Sequence, residues 1–204
     1  MTMTVRIVKR RVRVLAVSKD WIQTFSGVKF APLAAHGGTG ELRIEDIARA
    51  LSMQCRFAGH VLRFYSVAEH CVRVAAEVER LYPEDKMLQR AGLIHDASEA
   101  YLVDVPSPLK HQPEFDAYRR CERELTRRIN RWAQVDASDP RMMVVTMIDQ
   151  AACFAEADVL KSPLHPEWEQ YRPTALVLDW ESRNLGWTPE LAEAAFLSVW
   201  RMCQ

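Results

Sequence analysis

The sequence lacks an excess of charge of either sign. Lys plus Arg and Asp plus Glu each total 27, so the formal net charge is zero. Without net positive charge, the molecule as a whole has no general attraction for nucleic acid or for an anionic membrane. We therefore expect no specific nucleic-acid partner and no membrane partner. The first thirteen residues are locally basic, which favours a solvated strand edge, with a phosphate-steering arm as the alternative.

The sequence also lacks CxxC motifs and long apolar runs. The five cysteines are odd in number and several stand in apolar surroundings, which excludes a zinc ribbon and argues against a disulfide framework. No apolar run is long enough to cross a bilayer, and the N-terminal segment has no apolar core typical of a signal peptide. These absences predict a cytoplasmic protein with reduced, mostly buried thiols.

Helical periodicity dominates from residue 42 onward. Ser66 and Glu69 have the spacing of a capping box, while Asp139 and Thr188 each precede a proline, as N-cap residues often do. Apolar residues recur at helical spacing behind these signals. The predicted helical segments are 44–52, 66–82, 87–102, 115–133, 138–160 and 188–203.

The N-terminal forty residues have a different pattern. Residues 5–17 partly alternate between apolar and polar, and Ser26-Gly27 separates two β-favouring runs as a hairpin turn does. HGGTG at 36–40 is predicted to be a flexible loop and lacks the sequence of a phosphate-binding loop. We predict an all-α bundle of about six helices, with residues 1–40 as a β-hairpin appendage and 41–204 as the helical part of one globular domain.

Four ionisable residues stand at apolar positions of three predicted helices. They are His70, His95, Asp96 and Asp149. Taken singly, each is explained as a structural histidine or an exposed acid. Together, two imidazoles and two carboxylates suit one divalent ion of Mn, Fe, Co, Ni or Zn, with Mg also acceptable. A helical bundle that brings these helices face to face would assemble them into one site.

The order of these residues resembles the signature of the HD-domain phosphohydrolases. The stretches YSVAEHCVRVA and LIHDASEAYLVDVPSPLK are similar to the branch of bacterial 5'-deoxynucleotidases and small phage HD hydrolases, over roughly residues 20–160. The resemblance implies an HD fold, one metal ion and hydrolysis of a phosphomonoester or nucleotide. Members with two or three metals have additional histidines between the His-Asp pair and the last aspartate, where this chain has only His111.

The resemblance also implies roles for individual residues. Glu99 and Asp96 are the candidate catalytic residues: Glu99 would handle the proton of the attacking water or of the leaving group, and Asp96 would hold the metal. Arg56, fourteen residues before His70, matches an arginine that contacts substrate phosphate. Phe57 follows it where well-known members have tryptophan, which leaves sugar and base selectivity open.

Further substrate contacts are predicted near this arginine and after the His-Asp pair. His60 is a candidate for phosphate contact or for support of the site, Asp104 resembles an acidic sugar-contacting position, and Lys110 can face phosphate. Glu156 is expected either to pair with a basic group or to pack in the core. His36, His111 and His165 are interpreted as surface residues.

The predicted function is metal-dependent hydrolysis of deoxynucleoside mono- or triphosphates, and the sequence leaves the number of phosphates open. Two alternatives remain: a non-catalytic nucleotide-binding regulatory module, and a phosphohydrolase of a non-nucleotide ester. The resemblance further implies a homo-oligomer.

Overall fold

The protein is described by a computed structural model that covers residues 20–161, 163–174, 178 and 184–204. The predicted strand at 5–17 and the basic N-terminal segment lie outside these residues. Within them, the α-helices are α1 (Ile44–Ser52), α2 (Val67–Leu81), α3 (Lys86–Ile94), α4 (Glu99–Leu102), α5 (Ser107–Lys110), α6 (Asp116–Trp132), α7 (Met142–Leu160) and α8 (Pro189–Met202). Three 3₁₀ segments span Arg56–Gly59, Pro113–Phe115 and Pro166–Tyr171.

The predicted all-α class is confirmed. Five of the six long helices lie within the predicted segments, and α3 begins one residue before its segment, at Lys86. The two other helices, α4 and α5, are single turns of four residues. Helix α2 is central: it packs against α1, α3, α7 and α8, and most of its residues are buried. Among the described helices, none combines the length and the apolar character that crossing a bilayer requires.

The N-terminal hairpin is also confirmed. Strands β1 (Ile22–Gln23) and β2 (Lys29–Phe30) pair antiparallel, and Gly27 has a φ of 86° in the turn between them. Phe30 is fully buried and stacks on Tyr101 with 4.0 Å between ring centroids. Burial of this ring attaches the hairpin to the helical core.

The loop at 36–40, which we predicted to be flexible, is anchored by one side chain of α6. The Arg128 guanidinium donates to the carbonyls of Gly37, Gly38 and Gly40. A Cβ at Gly37 would lie 2.5 Å from the Glu124 carbonyl oxygen, so a glycine is needed for this close approach to α6.

The prediction of one continuous helix over 87–102 is wrong. Helix α3 ends at Ile94, and residues 95–98 form a turn before α4. Ala97 N–H donates to the Ile94 carbonyl at 2.9 Å, and Glu99 N–H donates to the backbone carbonyl of Asp96 at 2.9 Å. These are i→i−3 bonds, which tighten the chain relative to an α-helix. The apolar pattern does not reveal this change because it continues on both sides of the turn.

The helix N-termini were predicted with mixed success. Ser66 Oγ accepts from Glu69 N–H at 3.0 Å and Thr188 Oγ1 accepts from Leu191 N–H at 3.3 Å, so both N-caps are confirmed. Helix α7 begins at Met142, two residues after the predicted start at Pro140. Asp139 instead accepts from Arg141 N–H in the preceding turn.

The second hydrogen bond of the capping box at α2, from the Ser66 N–H to the Glu69 side chain, does not form. The fully buried Glu69 carboxylate accepts from Trp187 N–H at 2.7 Å, from Gly186 N–H at 3.2 Å and from the Arg73 guanidinium. These bonds connect α2 to the segment before α8. A residue more than a hundred positions away therefore decides where this carboxylate points.

The absence of a disulfide agrees with the prediction, whereas the expected burial of most of the thiols holds for only two of the five. All five cysteines are free; Cys71 and Cys203 are buried, and the others are partly exposed.

Candidate metal centre

The structure brings the four predicted metal ligands together. His70 lies in the first turn of α2, His95 and Asp96 in the turn after α3, and Asp149 on α7. The Nε2 atoms of His70 and His95 are 3.1 Å apart, and Asp149 Oδ1 lies 3.1 Å from the first and 3.6 Å from the second. These three residues form a group that can hold a metal ion.

Asp96 completes a four-atom cluster. Its Oδ2 lies 3.3 Å from His95 Nε2 and 3.8 Å from His70 Nε2. Ligand atoms around a tetrahedral ion with bonds of about 2.1 Å are roughly 3.4 Å apart. The spacings given above fall around this value, so the cluster could hold a metal ion.

The hydrogen bonds behind the two imidazoles decide their tautomers. His70 Nδ1 lies 2.6 Å from the Glu156 carboxylate, and His95 Nδ1 lies 2.8 Å from the Gly92 carbonyl. Both partners are acceptors, so each Nδ1 carries a proton. In the neutral rings, two Nε2 lone pairs then face each other at 3.1 Å, an arrangement that requires a cation or a shared proton between them. Carboxylate and carbonyl support of this kind is usual behind metal-bound histidines.

The neighbouring histidines keep the carboxylates of the cluster ionised despite their burial. Burial alone would raise the pKa of Asp149, but hydrogen bonds with His70 and His95 lower that pKa far below its usual value. Asp96 behaves in the same way, because its neighbour His95 outweighs burial and lowers its pKa. Burial tends to lower the pKa of His95, yet Asp96 raises it well above the ordinary value. A bound cation would displace a proton shared by the two Nε2 atoms.

Solvent reaches the cluster from one direction. The His70 side chain is completely buried, whereas those of Asp96 and Asp149 are 23% and 36% exposed. A ligand from solution can therefore approach past the carboxylates while α2 closes the other side.

A second group of buried side chains supports His70. Glu156 on α7 accepts from Arg56 Nε at 3.0 Å and from Tyr65 OH at 2.8 Å, in addition to His70 Nδ1. Arg56 Nη1 also donates to Asp96 Oδ2 at 3.4 Å, so Arg56 joins Glu156 to the cluster of candidate metal ligands. Of the two interpretations of Glu156, pairing with a basic group agrees with the structure.

Glu99 lies beside the cluster with few partners of its own. Its side chain is 6% exposed, Oε1 is 3.7 Å from Lys110 Nζ, and Oε2 is buried without a hydrogen-bond partner. Burial, together with Asp96 and Asp104, raises the pKa of Glu99 to about 9. Such a carboxyl group holds a proton at neutral pH, and proton transfer to or from it is the chemistry of a general acid or base.

The predicted substrate contacts divide into two sets. The first set lies near the cluster and consists of Arg56, Phe57 and Lys110. Phe57 lies beside Arg56, and Lys110 Nζ pairs with Glu122 at 2.7 Å as well as with Glu99. Asp104 is half-buried, and burial followed by the nearby Asp96 raises its pKa despite the opposing effect of Arg56. His60 is exposed, and its carbonyl accepts from Lys161 Nζ at 2.9 Å. The three histidines interpreted as surface residues, His36, His111 and His165, are exposed.

Sequence reasoning missed Cys71 as a neighbour of the site. Its Sγ, a His95 nitrogen and an Asp96 oxygen form a second group whose atoms lie within 4.8 Å of one another. Burial raises the pKa of this thiol, so it is uncharged in the metal-free protein. Adjacency to His70 was the available signal, but helical spacing assigned Cys71 to the apolar face of α2.

Comparison with known proteins provides a partial relative. No family model matches this sequence. The chain is 40% identical over 106 residues to the uncharacterized protein YfdR of Escherichia coli (strain K12), an alignment that covers 52% of this chain and 54% of that relative. The chain thus spans about half the length of the relative it matches. That name carries no activity.

Proposed function

We propose that this protein is an HD-type, metal-dependent phosphohydrolase that acts on nucleotides, with deoxynucleoside mono- or triphosphates as substrates. One observation carries the proposal: two imidazole Nε2 atoms, each with its Nδ1 proton already donated elsewhere, converge with two carboxylate oxygens at 3.1–3.8 Å. His70, His95, Asp96 and Asp149 would hold one ion of Mn, Fe, Co, Ni or Zn, with Mg as a further candidate.

The surrounding residues match the needs of phosphate-ester hydrolysis. A divalent ion in this shell would supply polarisation of a phosphoryl oxygen and acidification of a bound water. Glu99 Oε2, buried and without a hydrogen-bond partner, is suited to take the proton of the attacking water or to return one to the leaving oxygen. Arg56 and Lys110 provide the cations that bind and orient an anionic phosphoryl group.

A nucleotide-binding regulatory module is the second candidate. The observation that favours it is the state of Arg56: this cation could bind a phosphate, but its guanidinium already donates to Glu156 and Asp96. To bind phosphate, this guanidinium must exchange Asp96 for the ligand while keeping Glu156. A phosphohydrolase of a non-nucleotide ester remains a third candidate. Free cysteines and a nucleotide substrate both fit a cytoplasmic location.

The experiment combines metal analysis with turnover. Chelator-stripped protein is reloaded with Mn²⁺, Co²⁺, Zn²⁺ or Mg²⁺ and incubated with deoxy- and ribonucleoside mono- and triphosphates, and the products are separated by ion exchange. We expect about one ion per chain, with both metal and activity lost in Asp96→Ala. Glu99→Gln should keep the metal and lose activity by at least about 100-fold, the scale of general acid–base catalysis.

A matched control is available on α7. Asp158 lies on the same helix as Asp149 but is exposed, and Asp158→Asn should change neither metal content nor rate. Metal binding without turnover of any nucleotide, combined with tight nucleotide binding, would favour the regulatory module. Absence of both metal and nucleotide binding would contradict the proposal.

A further inference from the structure

The residues after Arg56 have an unusual backbone. Phe57 and Ala58 have φ values of 56° and 52°, and Gly59 follows with a φ of 77°, so three successive residues are left-handed. For non-glycine residues this conformation is unfavourable and persists only where the surroundings impose it, often at ligand-binding sites. The turn therefore calls for an explanation beyond chain connection.

The surroundings hold both ends of this turn. The backbone N–H of Arg56 donates to the Tyr65 carbonyl at 2.9 Å. The Leu62 N–H donates at 2.9 Å to the carbonyl of Leu160, at the end of α7. Lys161 Nζ donates to the His60 carbonyl at 2.9 Å. These bonds fix the turn against α7, the helix that also carries Asp149 and Glu156.

The consequence of the turn is the position of the Phe57 ring. Two cations approach the ring, with the Arg56 guanidinium carbon 5.6 Å and Lys161 Nζ 4.8 Å from its centroid. Its other neighbour is Trp168, whose ring centroid is 6.3 Å away at an interplanar angle of 66°. Trp168 in turn meets Tyr171 edge to face at 6.0 Å, and Tyr171 is 64% exposed.

A row of aromatic rings thus extends from these two cations to the exposed Tyr171. Charge changes along it: Arg56 and Lys161 lie at the Phe57 end, whereas Glu167 and Glu169 flank Trp168 in sequence, with Glu169 paired to Arg172. The Phe57 end suits an anion, and the Trp168 end suits an uncharged flat ring. The first step, from the Arg56 guanidinium carbon to the Phe57 ring, is 5.6 Å, and the second, from Phe57 to the Trp168 ring, is 6.3 Å.

We propose that Trp168 is a specificity-determining residue that packs against the nucleobase of the substrate, while Phe57 and its flanking cations receive the sugar and phosphate. This inference rests on the proposed function and narrows it, because it makes the base part of recognition. A phosphate ester that lacks an aromatic base would lose this contact.

Binding measurements test the proposal separately from turnover. Calorimetry of Mn²⁺-loaded Glu99→Gln protein compares dAMP and dATP with 2-deoxyribose 5-phosphate, which lacks the base. Adding Trp168→Leu should weaken binding of the better nucleotide about tenfold, within the range for loss of one base–aromatic stack, and leave binding of the sugar phosphate unchanged. Trp168→Phe should recover most of the affinity. With Glu99 intact, KM should rise in Trp168→Leu while kcat changes little.

Trp132 supplies the matched control. It stacks on Trp200 in a different aromatic pair and is 36% exposed, so Trp132→Leu should not alter nucleotide affinity. Equal weakening of the nucleotide and the sugar phosphate, no weakening, or no binding of either nucleotide would overturn the role of Trp168. If the base-dependent loss occurs but wild-type protein hydrolyses nothing, the stacking role stands and the hydrolase proposal fails.

Discussion

Glu156 on α7 and Glu99 on α4 are both buried carboxyl groups beside the cluster of candidate metal ligands, yet their environments differ. Glu156 accepts hydrogen bonds from Arg56, Tyr65 and His70, and these groups overcome burial and lower its pKa. Glu99 has one distant cation, Lys110, and an oxygen without a partner, and burial raises its pKa to about 9. Burial is similar in the two places, so the partners decide the charge.

The difference separates positioning from chemistry. The Glu156 carboxylate accepts from three donors within the protein, and these bonds orient His70 and Arg56. A carboxyl group with an unused oxygen retains capacity for a proton or a ligand. Free energy of unfolding should therefore depend on Glu156, and turnover on Glu99.

The largest expected effect is that of Glu156→Ala. This change leaves the buried Arg56 charge with Asp96 alone and removes the acceptor of His70 and Tyr65. We expect a loss of about 3–5 kcal/mol in the free energy of unfolding, as for one partner removed from a buried ion pair. Urea denaturation of metal-free protein at pH 7 measures this loss.

The control is Asp158→Ala, which is exposed on the same helix and should stay within about 0.5 kcal/mol of the wild-type free energy of unfolding. A Glu156→Ala loss similar to that of the control would contradict the positioning role.

The pH dependence of stability should have opposite signs at the two glutamates. In the unfolded chain Glu99 loses its proton near pH 4.5, while the folded protein keeps it to about pH 9. As the pH rises from 4.5 to 9, the free energy of unfolding of wild type therefore falls relative to that of Glu99→Gln, by at most about 1.4 kcal/mol per pH unit. The pKa of Glu156 is lowered, so the penalty of Glu156→Gln should be full above pH 4.5 and shrink as acid protonates the folded carboxylate.

Denaturation curves in chelator at several pH values measure both differences. Parallel pH profiles for wild type and the two variants would show that the two environments do not differ as described.

Tyr65→Phe should have a smaller effect. It removes one of the three donors to Glu156 and leaves His70 on the same oxygen, so we expect a loss of about 1 kcal/mol. Tyr118→Phe removes an exposed hydrogen bond to the Val103 carbonyl and serves as the control, with a loss below that of Tyr65→Phe. Thermal denaturation of the two variants compares them, and equal losses would mean that the Tyr65 hydroxyl adds little to the Glu156 network.

The smallest effect concerns the turn that carries Arg56 to Glu156. Ala58 is exposed with a φ of 52°, so Ala58→Gly relieves an unfavourable conformation and should raise the free energy of unfolding by up to about 1 kcal/mol. Ala194→Gly, exposed within α8, should lower it by about 1 kcal/mol because the helical backbone favours alanine. Equal destabilisation by both changes would show that Ala58 is not strained.

The features that could be predicted from sequence are those with local causes. Helical periodicity located the six long helices, and short-range caps located the starts of α2 and α8, because these signals act within a few residues. The Ser26-Gly27 turn belongs to the same class. The residue types of His70, His95, Asp96 and Asp149 also indicated a metal site, since their chemistry is poorly suited to an apolar helix face without a partner.

Only the tertiary structure decided how the polar groups are paired. The break between α3 and α4, the left-handed turn at Phe57 and the partners of Glu69 depend on packing that the local pattern does not encode. Arg56 and Glu156 are a hundred positions apart, and their contact distinguishes one buried glutamate from the other. A helix forms from interactions between near neighbours, whereas the pKa and the role of a buried side chain depend on whichever distant groups the fold places against it.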